Sequence, residues 1–291
     1  MKQVVVDGGT QKQRLDVLVG SLFPQISRSF ITKLVESSKV LVNNESSKPG
    51  YKLRLKDVVS IDFEPRDLNK IPDIDLPIIF EDKDMLVIDK PAGVISHSRG
   101  KFWDEPSVAS FIRQKFKVSD FDANNFSERS GIVHRLDRAT SGVMICAKNQ
   151  ASLSYLQKQF SERSIDKTYI AVCEGKVEPT QAIIDAAIAR NPKKPTTFIV
   201  HKLGKTAQTR YKVLEQGKNC LVEFKPLTGR THQLRVHAAF IKHPILGDAF
   251  YNGQPAPRLM LHAQSLVIKN LSGKIQKFES KVPPEFLSYA G

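Results

Sequence analysis

The stretch Gly131-Ile132-Val133-His134-Arg135-Leu136-Asp137-Arg138-Ala139-Thr140-Ser141-Gly142-Val143-Met144-Ile145-Cys146-Ala147 carries the reading on which the fold class turns. Gly131 to Leu136 reads as a strand and Val143 to Ala147 as another. Between them Asp137 to Ser141 is polar, and Gly142 can take a positive φ. The pattern continues on both sides. Upstream, residues 77 to 94 hold two β-rich runs around a charged turn at Glu81 to Asp84, a hairpin signal, and residues 107 to 117 read as a helix. Downstream, Asn149 caps a helix whose Leu153, Leu156 and Phe160 face inward. Strands are predicted at Thr168 to Val172, Thr209 to Leu214, Cys220 to Lys225 and Leu266 to Ile268. A helix over Arg230 to Ile241 keeps Leu234, Ala238 and Ile241 in register. Many strands with fewer helices indicate an α+β fold with a mixed, mostly antiparallel sheet.

A second module precedes this one. Leu15, Leu18, Val19 and Leu22 recur at helical spacing and Pro24 ends that helix. Ser27 is a good N-cap for a second helix with the stripe Phe30, Ile31, Leu34 and Val35. A short strand at Val40 to Val42, a turn at Asn43-Asn44, and a strand pair around Lys52 to Leu55 and Val58 to Ile61 complete it. Residues 64 to 76 are polar, hold two prolines and lack any period. The chain is therefore divided into a module over 1–66, a linker over 67–77 and a larger domain over 78–291. A length of 291 residues suits about two domains.

Charge and composition narrow the function classes. Lys plus Arg number 44 against 30 Asp plus Glu, a net charge of +14, which favours an anionic partner, nucleic acid ahead of an acidic membrane. The first 66 residues carry 11 basic and 7 acidic side chains, net +4, so both parts can meet the anion. No apolar run approaches the ~18 residues of a membrane span, and the start is too short in apolar residues for a signal peptide. Cys146, Cys173 and Cys220 are odd in number, far apart and set in apolar runs. They are expected to be buried reduced thiols in a cytoplasmic protein. A monomer is expected.

Two clusters carry chemistry. In the first, His134 to Gly142, Asp137 lies between Arg135 and Arg138 with hydroxyls at Thr140 and Ser141; nearby cations would keep the carboxyl ionised. A turn aspartate bonded to backbone amides is the bland alternative, and His134 alone would first be a packing residue. In the second, Leu227 to His237, Gly229 suits a tight turn. Arg230 and Arg235 could pair with phosphates or with a buried carboxylate. His232 and His237 are five apart, which does not put both rings on one helix face, so no metal pair is expected. No Walker loop, Gly-x-Gly-x-x-Gly or His-Glu-x-x-His occurs, and no cofactor is expected.

Arg14-Leu15-Asp16, Ser27-Arg28-Ser29, Val40 to Asn43 and Gly50-Tyr51-Lys52 resemble the small RNA-binding domain named after the fourth small-subunit ribosomal protein, over roughly residues 12 to 61. That resemblance implies a helix pair gripping folded RNA through phosphates, with Arg28, Lys33 and Lys52 among the contacts. Lys39, Lys48 and Arg54 share those polar positions. Asp89-Lys90-Pro91-Ala92-Gly93, the His134 to Gly142 string, Lys167 to Ala171 and the Gly229 to His237 string resemble the large-subunit ribosomal RNA pseudouridine synthases, over about residues 78 to 285. This second resemblance implies a pseudouridine synthase-like fold and an isomerase without metal or organic cofactor. It makes Asp137 the nucleophile or acid–base carboxylate on a uridine, Tyr169 the ring stacking on the uracil, and Arg230 the partner of Asp137. His134, Arg135, Arg138, Thr140 and Lys167 would bind the RNA. Three alternatives stay open: a non-catalytic RNA-binding or ribosome-assembly factor, an RNA nuclease or N-glycosidase using the same aspartate, and a synthase acting on transfer RNA. Residues 176–208 are the weakest stretch of the resemblance, where insert length varies too freely to carry a match, and they receive no role.

Overall fold

The computed structural model describes residues 2–24, 26, 28–63, 72, 74–97, 105–116 and 131–290. The chain separates into two compact units that divide after Pro72. The expected N-cap Ser27 and most of the expected linker lie outside the described residues.

The first unit contains β1 (Lys2–Val5), α1 (Leu15–Leu22), α2 (Arg28–Glu36), β2 (Val40–Val42), β3 (Glu45–Ser46) and β4 (Val58–Ile61). Its strands pair antiparallel in the order β1-β4-β2-β3. Leu15, Leu18, Val19, Ile31, Leu34 and Val35 bury the helical stripes against Val40, Val42, Val59 and Ile61. The strand expected over Lys52 to Leu55 is absent. Lys52 makes a single bridge to Arg14, and Lys56 takes a positive φ of 70°, which turns the chain before β4.

The second unit runs β5 (Ile78–Glu81), β6 (Met85–Lys90), α3 (Val108–Lys115), β7 (Ser141–Ala147), α4 (Gln150–Glu162), β8 (Asp166–Glu174), β9 (Gln181–Asp185), β10 (Ile188–Arg190), β11 (Phe198–Val200), β12 (Gln208–Gln216), β13 (Asn219–Pro226), α5 (Gln233–Phe240), β14 (Leu261–Lys269), β15 (Ile275–Glu279) and α6 (Glu285–Ala290). One sheet follows the order β5-β6-β7-β14-β8-β13-β12-β9, with β15 on β14, while β10 and β11 form a separate ribbon. Only the β7–β14 pairing is parallel among the described strands. The expected mixed, mostly antiparallel sheet is thus present. Local chemistry explains the ends of its elements. Asp82 Oδ1 accepts the Asp84 and Met85 amides, both at 2.8 Å, and closes the β5–β6 turn. Asn149 and Ser152 exchange side-chain and backbone bonds as a capping box on α4.

Two further expectations, in the second unit, need correction. Gly131 to Leu136 is not a strand: only Ile132 bridges Cys146. Gly131 has φ +76°, and a Cβ there would lie 2.6 Å from Ala147 O. Side chains replace the ladder, since His134 Nε2 accepts the Ile145 amide at 3.0 Å and Ser96 Oγ accepts the Leu136 amide at 3.2 Å. The helix expected from Arg230 starts at Gln233, because His232 takes the left-handed backbone at φ 57°. No described helix is long and apolar enough to cross a membrane.

Candidate active site

Asp137 lies in the loop entering β7. The loop is fixed from two directions. Ser96 Oγ donates to Leu136 O at 2.8 Å, and Gly93 N–H donates to Arg138 O at 2.8 Å. Lys90, wholly buried at the end of β6, donates Nζ–H to Pro91 O at 2.9 Å, Val94 O at 2.8 Å and Arg138 O at 3.4 Å. Burial pulls the Lys90 amine down to about 7; the charge on Asp137 opposes the fall, and Arg258 and Arg138 add to it. The Asp89 to Gly93 segment is therefore the buttress of the aspartate loop. At the loop's far end Gly142 has φ +112°, and a Cβ there would stand 2.1 Å from Ala263 O, so the parallel contact with β14 admits only glycine.

A cavity of about 450 Å³ opens beside Asp137, within the range of small-ligand sites. The loop contributes His134, Arg135, Asp137 and Thr140 to its lining; β8 contributes Lys167 and Tyr169; the segment running into α5 contributes Arg230, His232 and Arg235. Tyr169 is pushed above its ordinary value by burial and by the Asp137 charge, so it presents a neutral phenol ring. Lys167 is lowered by burial and by Arg163. Among the described residues no cluster of three His, Cys, Asp or Glu side chains is arranged to hold a metal.

Arg235 is almost fully buried and grips Asp248 with two parallel bonds, Nε to Oδ2 and Nη2 to Oδ1, each 2.7 Å. Burial pulls its guanidinium down, but the bonds and charge of Asp248 outweigh that and hold it above its ordinary value. Its third nitrogen, Nη1, stands 3.7 Å from Asp137 Oδ2, and His232 Nε2 stands 3.8 Å from the same oxygen. Both separations exceed hydrogen-bond length, so the carboxylate is flanked by donors without being consumed by them.

The expected pairing of Arg230 with Asp137 is thereby corrected. Arg230 donates Nε–H to Thr206 O at 2.9 Å, and the ion partners of Asp137 are Arg235 and His232. The reason is where α5 begins. Arg230 lies in the preceding turn, where Gln233 Oε1 accepts its amide at 2.9 Å and the Thr228 hydroxyl at 2.7 Å. Arg235 falls within the first turn of the helix. The signal for it was present: a charged residue between Leu234 and Val236, both buried, needs a buried partner. Asp248 and Tyr251 carried no such signal.

The other expected residues divide. His134 lines the cavity but spends Nε2 on the Ile145 amide and stacks on Phe160 at 4.5 Å; burial lowers it to about 3, so the ring is neutral. Arg135 is exposed at the cavity and Thr140 is buried beneath it. Arg138 turns instead to Gly93 O at 3.3 Å. In the first unit Lys33 and Lys52 are exposed, and Arg28 shares Asp16 with Arg14. Residues 176–208, the weakest stretch of the resemblance, hold the β10–β11 ribbon, packed on α5 through Ile188, Ala207 and Val236. From Ala186 to Thr206 it carries Arg190, Lys193, Lys194, Lys202 and Lys205 and no acidic residue.

A carboxylate at a cavity on a mixed sheet, in a chain that also carries a basic two-helix module, fits an RNA-modifying enzyme, and the similarity to known proteins shows that class. The chain belongs to the RNA pseudouridylate synthase family, whose model matches residues 84–240, and the S4 domain model matches residues 13–59. An uncharacterized RNA pseudouridine synthase of Aquifex aeolicus is 40% identical over 247 residues, spanning 83% of this chain and 77% of that protein. The ribosomal large subunit pseudouridine synthase D of Borreliella burgdorferi is 35% identical over 291 residues, 95% and 88% of the two chains. The solved structure of human RNA pseudouridylate synthase domain containing 1 superposes with a TM-score of 0.60 at 28% identity, covering 78% of this chain and 89% of its own. The protein is an RNA pseudouridine synthase, an isomerase with RNA as its partner.

Proposed function

We propose that this enzyme converts specific uridines of large-subunit ribosomal RNA to pseudouridine through Asp137. The observation that carries the reading is the Asp137 carboxylate at the 450 Å³ cavity, flanked by Arg235 and His232 at 3.7 and 3.8 Å and facing the neutral ring of Tyr169 across the same space. The target nucleotide leaves its stack at a cost of a few kcal/mol and enters the cavity. Tyr169 gives the uracil a flat apolar wall. Asp137 engages the nucleotide, the N-glycosidic bond from N1 breaks, the base turns, its C5 bonds to the ribose, and the proton lost from C5 is matched by one gained at N1, so the product is an isomer. Arg235, immobilised by Asp248, holds the carboxylate in register. Arg230, Arg135, Lys167 and the basic β10–β11 ribbon offer cations for the surrounding phosphates, and within the first unit the exposed Lys33 and Lys52, with Arg28, offer cations of their own. Three buried free cysteines suit the reducing cytoplasm where such RNA is found. The test incubates the enzyme with large-subunit ribosomal and transfer RNA transcripts and maps carbodiimide adducts. Pseudouridine at discrete positions of the ribosomal transcript is expected; modification confined to transfer RNA would overturn the substrate reading.

A further inference from the structure

His232 and Tyr251 have no assigned part in the reaction, yet one of them aims a ring nitrogen at Asp137. His232 is 12% exposed and holds the left-handed backbone, φ 57° and ψ 19°, which side-chain-bearing residues rarely adopt. Unusual backbone of this kind persists where the surroundings over-determine it, and such places cluster at functional sites. Here the surroundings are aromatic. Phe198 and Tyr251 meet the imidazole edge-on at 5.6 and 5.7 Å, and Phe250 lies tilted at 6.0 Å. The ring's Nδ1 lies 2.8 Å from Tyr251 Oη, and its Nε2 lies 3.8 Å from Asp137 Oδ2.

The hydrogen-bond inventory selects one tautomer. Tyr251 Oη already accepts the Phe198 amide at 3.0 Å, and it has one hydrogen to give. Donating that hydrogen to Nδ1 makes Nδ1 the acceptor and leaves the single N–H hydrogen of the neutral imidazole on Nε2, directed at the carboxylate. The opposite tautomer would set the Nε2 lone pair against an anionic oxygen and leave the phenolic hydrogen without this acceptor. Burial, which lowers His232 below its ordinary value, keeps the ring in a neutral form. Tyr251 also lies under the Arg235 guanidinium at 5.2 Å, so one side chain supports both groups that flank Asp137.

We propose that Tyr251 and His232 form a second positioning arm for Asp137, the tyrosine hydroxyl fixing the imidazole so that its Nε2–H orients the carboxylate alongside the Arg235–Asp248 pair. The proposal rests on Asp137 being the reacting carboxylate. It needs no proton to leave the pair during turnover: the arm sets the direction of an oxygen, and the chemistry stays on Asp137.

Long-range proton–nitrogen correlation on nitrogen-labelled full-length protein reads the tautomer directly. The expected wild-type pattern has a pyrrole-type Nε2 and a pyridine-type Nδ1 on His232, and Tyr251→Phe is expected to release that bias while keeping the aromatic ring. A pyridine-type Nε2 in wild type overturns the proposal. Single-turnover rates at saturating RNA then measure the consequence. Tyr251→Phe and His232→Gln are each expected to slow the step about 10-fold with RNA affinity unchanged, and the double variant should be no slower than the worse single, since the two act as one unit. Rates within about threefold of wild type, or a loss confined to RNA affinity, overturn it. Asp137→Asn run beside them separates the two levels. An active Asp137→Asn removes the reading of the site; an inactive Asp137→Asn with unaffected Tyr251→Phe and His232→Gln removes only the arm.

Discussion

The two units each hold an aspartate among cations, and they use it in opposite ways. Asp16 is buried and saturated. Arg14 reaches it through Nε at 2.9 Å and Nη2 at 3.0 Å, and Arg28 adds Nε and Nη2 at 3.2 Å. Asp137 is 22% exposed, and its cations stop at 3.7 and 3.8 Å. The difference lies in competition. Arg14 and Arg28 have no stronger carboxylate than Asp16 among their described ion pairs, whereas Arg235 is already committed to Asp248 at 2.7 Å. A carboxylate whose arginine is spent elsewhere keeps its lone pairs for a substrate; one that owns its arginines is a fastener. Proximity to charge therefore does not identify a reactive group until the partners of the partners are counted.

The sharpest way to break this comparison is to neutralise both aspartates. Asp137→Asn is expected to abolish pseudouridine formation with RNA affinity little changed, and Asp16→Asn to leave the single-turnover rate alone. Equal catalytic losses in the two variants would erase the distinction. The arginines give the next largest effect. Arg235→Lys retains charge but loses the fork that holds Asp248, and misplacement at the reacting centre can cost ~10²-fold in rate. Arg230→Lys, whose described bond is to Thr206 O, is expected to stay within about 10-fold, an order of magnitude milder. Single-turnover kinetics on both variants would reverse the assignment if Arg230→Lys proved the worse.

Stability offers a smaller effect. The Arg14 bond, opposed by burial and joined by Arg28, holds Asp16 below its ordinary value of 3.8. The contribution is present above the unfolded value and is lost as pH falls through the lower folded one. Asp16→Asn is expected to cost about 1–2 kcal/mol at pH 7 and to be progressively less penalised as pH falls below the ordinary value of 3.8, as denaturant unfolding across that range would reveal. A gap that stays constant with pH would mean that the fastener is not electrostatic. The smallest effect concerns RNA docking. Arg28→Gln, Lys33→Gln and Lys52→Gln together should lower the slope of log affinity against log salt by about 0.7 to 0.9 for each phosphate that these cations neutralise, with the single-turnover rate at saturating RNA unchanged. An unaltered slope would detach this face from RNA.

The sequence alone determined the kinds of element and most of their positions. Apolar periodicity marked both helices of the first unit, the cap at Asn149 with its apolar stripe marked α4, and two β-rich runs around the charged turn at Glu81 to Asp84 marked the hairpin, because these signals are local. Charge pointed to an anionic partner, and the motif resemblance pointed to an RNA isomerase and proposed Asp137 as its carboxylate. Tertiary structure decided what local signals could not reach. Gly131 to Leu136 looked like a strand by composition, yet beyond the Ala147 amide on Gly131 O and the Ile132 bridge it is held through the side chains of Ser96 and His134, so it depends on the β5–β7 neighbourhood rather than on the segment's own pattern. Which arginine meets Asp137 depended on the left-handed turn at His232, which starts α5 late, and on Asp248, brought beneath that helix by the chain leading into β14. Both arginines fit a carboxylate equally well by residue type; only the packing of elements remote in the chain sets one beside the cavity with its fork occupied and turns the other to a backbone carbonyl.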